Sequence, residues 1–227
     1  DDDFTWVDSH GRMLDKQQAA QDLPTTPLGT ETGLTPAIHR YSDVAHITVD
    51  RDRLFVLRIW IRRAGAWRAL VVHEVAQNLP AAPHGPGCKA WDNPCKTLPY
   101  EPRNADERDC LAAWQRLETA VMEGDAELWA RHVADEFMVI GPTRRHSKSD
   151  RKAVIAEQQR TDTTSAPAPL VSARLFGFAD AMVMSCEHQP FHGKAALVSR
   201  VFVKRGGAWL MAVSFQTTRQ DAAVITI

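Results

Sequence analysis

The sequence predicts an α+β protein built from two copies of one folding unit. Three observations predict it. Residues 56–75 (VLRIWIRRAGAWRALVVHEV) and 198–217 (VSRVFVKRGGAWLMAVSFQT) both read as strand, basic tight turn, Trp and second strand. The offset of 142 between Arg58 and Arg200 holds through Trp67 and Trp209. A second correspondence, Asp2-Asp3-Phe4 with Asp135-Glu136-Phe137, has an offset of 133, so nine extra residues fall in the longer loops of copy two. Finally, a helical pattern through Leu111, Trp114, Leu117 and Val121 stands apart from the alternating, strand-like stretches around it.

Taken in order, Phe4-Thr5-Trp6-Val7 is a β-branched and aromatic run that ends in the turn Asp8-Ser9-His10-Gly11. Residues 12–22 (RMLDKQQAAQD) are rich in helix formers and Pro24 stops them. A Pro/Thr/Gly loop over 24–36 leads to strands at Ile38–Tyr41, Val44–Val49, Leu54–Ile61 and Trp67–Val75. Their short connections predict an antiparallel meander. Pro recurs through 78–104, where neither helix nor central strand can persist, so this stretch is read as a linker. Asn104 then caps a helix, with Glu107 as capping-box partner, and Gly124-Asp125 breaks it. A second helix is expected over 126–134, a strand over 137–140, and a helix from Ser147 or Ser149 to Arg160. Strands near 170–178, 181–188, 196–204 and 208–217 complete the chain. The domain reading is therefore 1–77, linker 78–104, and 105–227.

At 227 residues the chain has room for one large or two small domains. A net charge of −1 offers no electrostatic pull toward nucleic acid or an anionic membrane. No apolar run approaches the ~20 residues of a membrane helix. Partners of both kinds are excluded from the expected reading. The chain opens Asp-Asp-Asp-Phe rather than with Met, which is read as processing, trimming or an incomplete N-terminus. The expected location is periplasmic or secreted, with the cytoplasm as the alternative. An oxidising compartment would favour a Cys88–Cys95 disulfide in the Pro-rich stretch. Free thiols are the alternative. A zinc site of His84, Cys88 and Cys95 lacks a fourth ligand and a finger spacing, so no metal is expected. Cys110 and Cys186 read as small core residues.

The second copy, with two helices, a strand, a helix and a meander, resembles the nuclear transport factor two-like superfamily, above all its SnoaL-like and kinase-association-like bacterial members. Residues 134–141 (ADEFMVIG) and 200–209 (RVFVKRGGAW) carry the resemblance in copy two, and residues 2–12 and 58–67 in copy one. It implies a cone: a bent sheet wrapped on helices around an apolar cavity, with dimers formed through the outer sheet face. Two tandem cones in one chain could make that dimer internally; a homodimer through sheet faces is the other arrangement. Copy one starts without the two leading helices of copy two, and residues missing upstream are the expected reason. The superfamily spans isomerases, cyclases, dehydratases and non-catalytic assembly domains, so the resemblance selects no activity.

A regular hairpin register sets Trp60 opposite Ala69, Arg58 opposite Val71 and Val56 opposite His73. Arg58 and His73 then share a face as diagonal neighbours. The opposite face, with Leu57, Ile59, Leu70 and Val72, is apolar, so both faces are expected to be covered, one by helices and one by a second sheet. In copy two Arg200 falls opposite Val213, and Phe215 takes the place of His73. The expected catalytic set is His73 as general base, Asp8 as orienter or second acid, and Arg58 holding an anionic oxygen. The structural alternative is an Arg–carboxylate brace and a hydrogen-bonded core histidine. His39, Tyr41, Trp60, Arg200 and Phe215 are the expected ligand-binding residues. His146 with Arg144-Arg145 is read as solvent-facing. No P-loop, G-x-G-x-x-G, G-x-S-x-G or H-E-x-x-H is present, and no cofactor is expected. The functional expectation is binding of a small apolar molecule, with proton-transfer chemistry of the isomerase or cyclase type. The alternative is a non-catalytic interaction or assembly module.

Overall fold

The computed structural model describes residues 1–22, 34–51, 53–77, 93–190 and 193–219. The fold is α+β, with two six-stranded mixed sheets in tandem. Unit one contains β1 (Thr5–Val7), β2 (Met13–Asp15), α1 (Lys16–Asp22), β3 (Ala37–Tyr41), β4 (Val44–Arg51), β5 (Leu54–Arg63) and β6 (Ala66–Ala76). Unit two contains α2 (Ala105–Glu123), α3 (Ala126–Arg131), β7 (Val133–Gly141), β8 (Arg144–Ser147) and α4 (Lys148–Arg160). Its meander follows as β9 (Leu170–Gly177), β10 (Ala181–His188), β11 (Ala196–Arg205) and β12 (Ala208–Thr218).

The two sheets have the same plan. Their strand orders are β2-β1-β6-β5-β4-β3 and β8-β7-β12-β11-β10-β9, each with one parallel pair, β1 with β6 and β7 with β12. The duplication read from the hairpins therefore extends to the whole sheet. Two short edge strands, β2 and β8, were hidden in the sequence. β2 lies inside the stretch read as helix from residue 12, because Met13 and Asp15 pair with Val7 and Thr5. In the same way β7 starts at Val133, so the helix expected over 126–134 stops at Arg131.

Local chemistry fixes the helices. Asn104 accepts the Glu107 amide at 2.9 Å and so caps α2. The reciprocal half of the box is absent. Glu107 instead accepts from the Arg103 amide, the Arg103 guanidinium and the Tyr100 hydroxyl. At the far end Gly124 adopts φ 74°, and a Cβ there would lie 2.6 Å from Cβ of Gln159. Ser147 and Asp150 form a complete capping box at the start of α4. Residues 93–104 pack on unit two: Asn93 donates to Thr119, and Gln115 donates to the Cys95 and Lys96 carbonyls.

Each sheet has one face toward the other sheet and one toward its own interior. Leu57, Ile59, Ile61, Val71 and Val75 of unit one meet Ile140, Val183, Val201, Val213 and Phe215 of unit two in one continuous apolar cluster. Each such buried side chain contributes about 1.5–3 kcal/mol. The chain thus contains its own pseudo-dimer, packed sheet on sheet. Polar pairs rim the seam in matched positions. Arg174 of β9 reaches Asp3 at 3.0 Å, and Tyr41 of β3 reaches Glu136 at 2.7 Å. Asp3 and Glu136 are counterparts at the 133 offset.

The other face of sheet two is covered by α2, α3 and α4, around a core that includes Trp114, Trp129 and Phe137. This cover explains why the paired tryptophans differ. Trp209 is 2% exposed against that core, whereas Trp67 is 37% exposed. Each keeps a basic neighbour over its ring, Lys204 at 5.4 Å and Arg62 at 5.9 Å.

Candidate functional site

The register decides which side chains can meet. Trp60 opposes Ala69 as expected, but a bulge follows, so that Ile59 opposes Val71, Arg58 opposes Val72 and Leu57 opposes His73. The same shift occurs in copy two, where Arg200 opposes Ser214 and Ser199 opposes Phe215. One inserted residue exchanges the faces of everything beyond it. Arg58 and His73 therefore lie on opposite faces of sheet one, and Arg200 and Phe215 on opposite faces of sheet two. This corrects the regular register expected from the sequence.

His73 faces the seam between the units and is fully buried. Thr217 donates its hydroxyl hydrogen to the Glu74 carbonyl at 2.7 Å, so its oxygen accepts from His73 Nε2–H at 3.1 Å. Nδ1 then carries the lone pair and accepts the Ser199 hydroxyl at 2.8 Å. The ring is neutral, because burial lowers its pKa from 6.5 to about 3. Asp8 is buried in its own turn, where it accepts the His10 and Arg12 amides and pairs with the Arg12 guanidinium at 2.6 Å. Arg58 is half-buried on the interior face. The three residues expected to share a catalytic site are not brought together.

The expected ligand residues separate in the same way. Tyr41 and His39 face the seam. Tyr41 donates to Glu136 and lies 3.2 Å from His46 Nε2, and the His39 ring stacks on His46 at 4.9 Å. Burial and the Glu136 hydrogen bond raise the Tyr41 pKa. Trp60 is half-buried on the interior face of sheet one. Phe215 is buried in the seam, edge-on to His73. Of the five, Arg200 lines the interior cavity of unit two. Cys95 has a free, buried thiol whose sulfur lies 3.9 Å from the Ala168 carbonyl oxygen. Cys88, His84, Trp91 and His192 lie outside the described residues, and the expected Cys88–Cys95 bridge is not seen.

The cavity of unit two has a volume of about 270 Å³ and continues into a smaller hollow of about 90 Å³ beneath the helices. Arg144 of β8, Arg151 of α4 and Arg200 of β11 line both, together with Glu118 of α2 and Gln216 of β12. Val121, Val198, Ala196 and Pro167 supply apolar wall. Arg200 is 3% exposed. It donates to Cys186 Sγ at 2.8 Å and to His188 Nε2 at 3.1 Å, and lies 3.7 Å from Glu118. Its Nε hydrogen has no partner among the described residues.

His188 Nδ1–H donates to the Ala168 carbonyl at 2.9 Å, which leaves the Nε2 lone pair for Arg200. Burial and the neighbouring Arg200 lower the His188 pKa to about 3, so the imidazole is neutral. Glu118 also accepts Trp114 Nε1–H at 3.1 Å. Burial lowers the Arg144 pKa, and burial with the neighbouring Arg144 lowers that of Arg151 to about 10.

Sequence reasoning missed Glu118, Arg144 and Arg151. Glu118 had a signal: it lies on the stripe of Leu111, Trp114 and Val121, a charge on the buried face of α2. Arg144 had another: its counterpart at the 133 offset is Gly11. The reading of Arg144-Arg145 as a solvent-facing pair holds for exposed Arg145 alone; Arg144 turns inward.

No protein-family model and no curated protein matches the sequence. Solved structures do resemble it. An NTF2-like protein from Cytophaga hutchinsonii is 15% identical over 51% of this chain and 99% of its own, with a TM-score of 0.43. An NTF2-like protein with a cystatin-like fold from Novosphingobium aromaticivorans is 14% identical over 52% and 84%, with a TM-score of 0.43. The association domain of C. elegans CaMKII is 15% identical over 50% and 95%, with a TM-score of 0.40. Each spans about half of this chain. Their descriptions differ too widely to select an activity.

Proposed function

We propose that the second unit binds a small organic anion, with its carboxylate or other oxyanion on Arg144, Arg151 and Arg200 and its apolar part against Val121 and Val198. The observation that carries this reading is charge: three guanidiniums and one carboxylate, Glu118, line one cavity in which His188 is neutral. Among the described residues Arg144 and Arg151 have no side-chain hydrogen bond or ion pair, and burial opposes their charge. One carboxylate for three guanidiniums leaves an excess of positive charge in this half-buried setting, and an oxyanion would relieve it through charge-assisted hydrogen bonds. A volume of about 270 Å³ falls just below the ~300–1,000 Å³ of drug-sized ligand sites, so the ligand is small. This reading keeps the small-molecule function and replaces an apolar ligand by an acidic one. Proton transfer at His73 finds no support, because that ring faces the seam and both its nitrogens are engaged.

The test is a thermal-shift comparison of benzoate with uncharged benzamide. At 100 times its Kd a ligand adds about 2.7 kcal/mol. For a chain of this size that raises Tm by about 5–11 °C. The expected result is a shift with benzoate, none with benzamide, and loss of the shift in Arg200→Gln and Arg151→Gln. Equal shifts for both ligands, or shifts that survive both substitutions, would overturn the reading.

A further inference from the structure

We infer that the first unit is a positioning brace for the anion site of the second, acting through Gln77 and Asp50 on the β7–β8 hairpin that carries Arg144. The inference rests on the anion-binding reading for its consequence, but its geometry stands independently. Gln77 follows β6, at the end of unit one. Its side-chain amide crosses the seam and donates to the Gly141 carbonyl at 3.3 Å and the Arg144 carbonyl at 3.1 Å. Gly141 and Arg144 are the paired residues that close the β7–β8 turn. One amide therefore clamps both ends of the turn.

The next residue is held from the same side. Arg145 donates to Asp50 at 2.7 Å, and its guanidinium lies 4.9 Å over the Phe55 ring. Successive side chains of a strand point to opposite faces. With Arg145 drawn toward unit one and the Arg144 carbonyl fixed, the Arg144 side chain is directed into the cavity. The hairpin needs such support, since β8 has four residues and, among the described residues, is paired on one side alone, to β7. It is an edge strand that would otherwise be free to shift.

The brace runs one way. Arg219 is the counterpart of Gln77 at the 142 offset. The two make equivalent backbone bonds, Gln77 to the Arg53 carbonyl and Arg219 to that of Ala195. The side chain of Arg219 nevertheless stays at home, paired with Glu187 at 2.8 Å. Copy one also has Gly11 where copy two has Arg144. The crossing contact is thus made toward the copy that holds Arg144.

The test uses the full chain with Gln77→Ala and Gln77→Glu; the second keeps the side chain's length but removes its donors. The first readout needs no ligand: the rate at which phenylglyoxal modifies Arg144, followed by peptide mass mapping, with exposed Arg160 as control. Both variants should raise the Arg144 rate several-fold and leave Arg160 unchanged. The second readout is benzoate affinity by calorimetry, which should fall about tenfold, as expected for the loss of one or two hydrogen bonds. An unchanged Arg144 rate overturns the brace whatever benzoate does. A raised rate in a protein that never binds benzoate supports the brace and counts against the anion site. Benzoate binding that is equal in wild type and both variants leaves the anion site standing and removes the brace's effect on it.

Discussion

Replacing His73 by Phe, the residue at its counterpart Phe215, should give a stability change whose size depends on pH. At pH 7.5 the substitution keeps the ring's bulk but removes the acceptor of the Ser199 hydroxyl and the donor to Thr217. Thr217 keeps its bond to the Glu74 carbonyl, so the unsatisfied group is the buried Ser199 hydroxyl. That should cost about 1–3 kcal/mol. Acid adds a second effect. Burial holds the folded pKa of His73 at about 3, below its ordinary 6.5. As pH falls below 6.5 the unfolded chain binds a proton that the folded chain refuses, so stability drops as pH falls toward 3. At 1.36 kcal/mol per unit, wild type loses about 2 kcal/mol at this site by pH 5, and the variant loses none there. His46 and His188 are also held at about 3 by burial, but they titrate in both proteins and cancel in the difference. Urea unfolding at pH 7.5 and pH 5.0 should therefore show the stability gap narrowing by about 2 kcal/mol. Adding Ser199→Ala should recover most of the loss at pH 7.5. A gap of equal size at both pH values would refute the buried neutral ring.

Gly124→Ala forces a side chain into left-handed backbone and against Gln159, and should cost at least ~2 kcal/mol, or about 4–8 °C in Tm; an unchanged melting curve would remove this account of the α2–α3 corner. Cys95, Cys110 and Cys186 are buried, and burial raises the pKa of each thiol. Iodoacetamide at pH 8 should leave all three unlabelled in the native protein and label them after unfolding, as read by peptide mass mapping. Rapid native labelling of Cys186 would mean that the cavity wall beside Arg200 opens.

The fold was legible where short-range rules decide. The two basic turns, each followed by Trp, marked both hairpins, and Asn104 marked the start of α2. The apolar face of Leu57 and Ile59 called for a second sheet, and unit two supplies it. What escaped was one inserted residue per hairpin. The bulge falls near Leu70 in copy one and Ala212 in copy two, counterparts at the 142 offset, and neither is a Gly that would flag it. A local kink without a sequence mark moved His73 from the interior to the seam. The arginine cluster escaped for a different reason. Arg144, Arg151 and Arg200 come from an edge strand, a helix and a central strand, and tertiary packing alone gathers them.

Duplication explains how one seam can differ on its two sides. In a dimer of identical chains the two-fold axis would place the same residue on both sides of the contact. A histidine at position 73 would then appear twice, and each would need its own acceptor and donor in a part of the layer that is mostly apolar. Here the counterpart is Phe215, so one polar chain from Ser199 through His73 and Thr217 to Glu74 crosses the layer once. Gln77 and Arg219 have diverged likewise, one crossing the seam and one pairing within its unit. A polar contact that occurs once fixes which units face each other and in which register, a role that matched apolar surfaces fill poorly. Fusion in one chain therefore allows one copy to carry Arg144 in its cavity while the other, with Gly11 at that position, is free to diverge and hold its neighbour in shape.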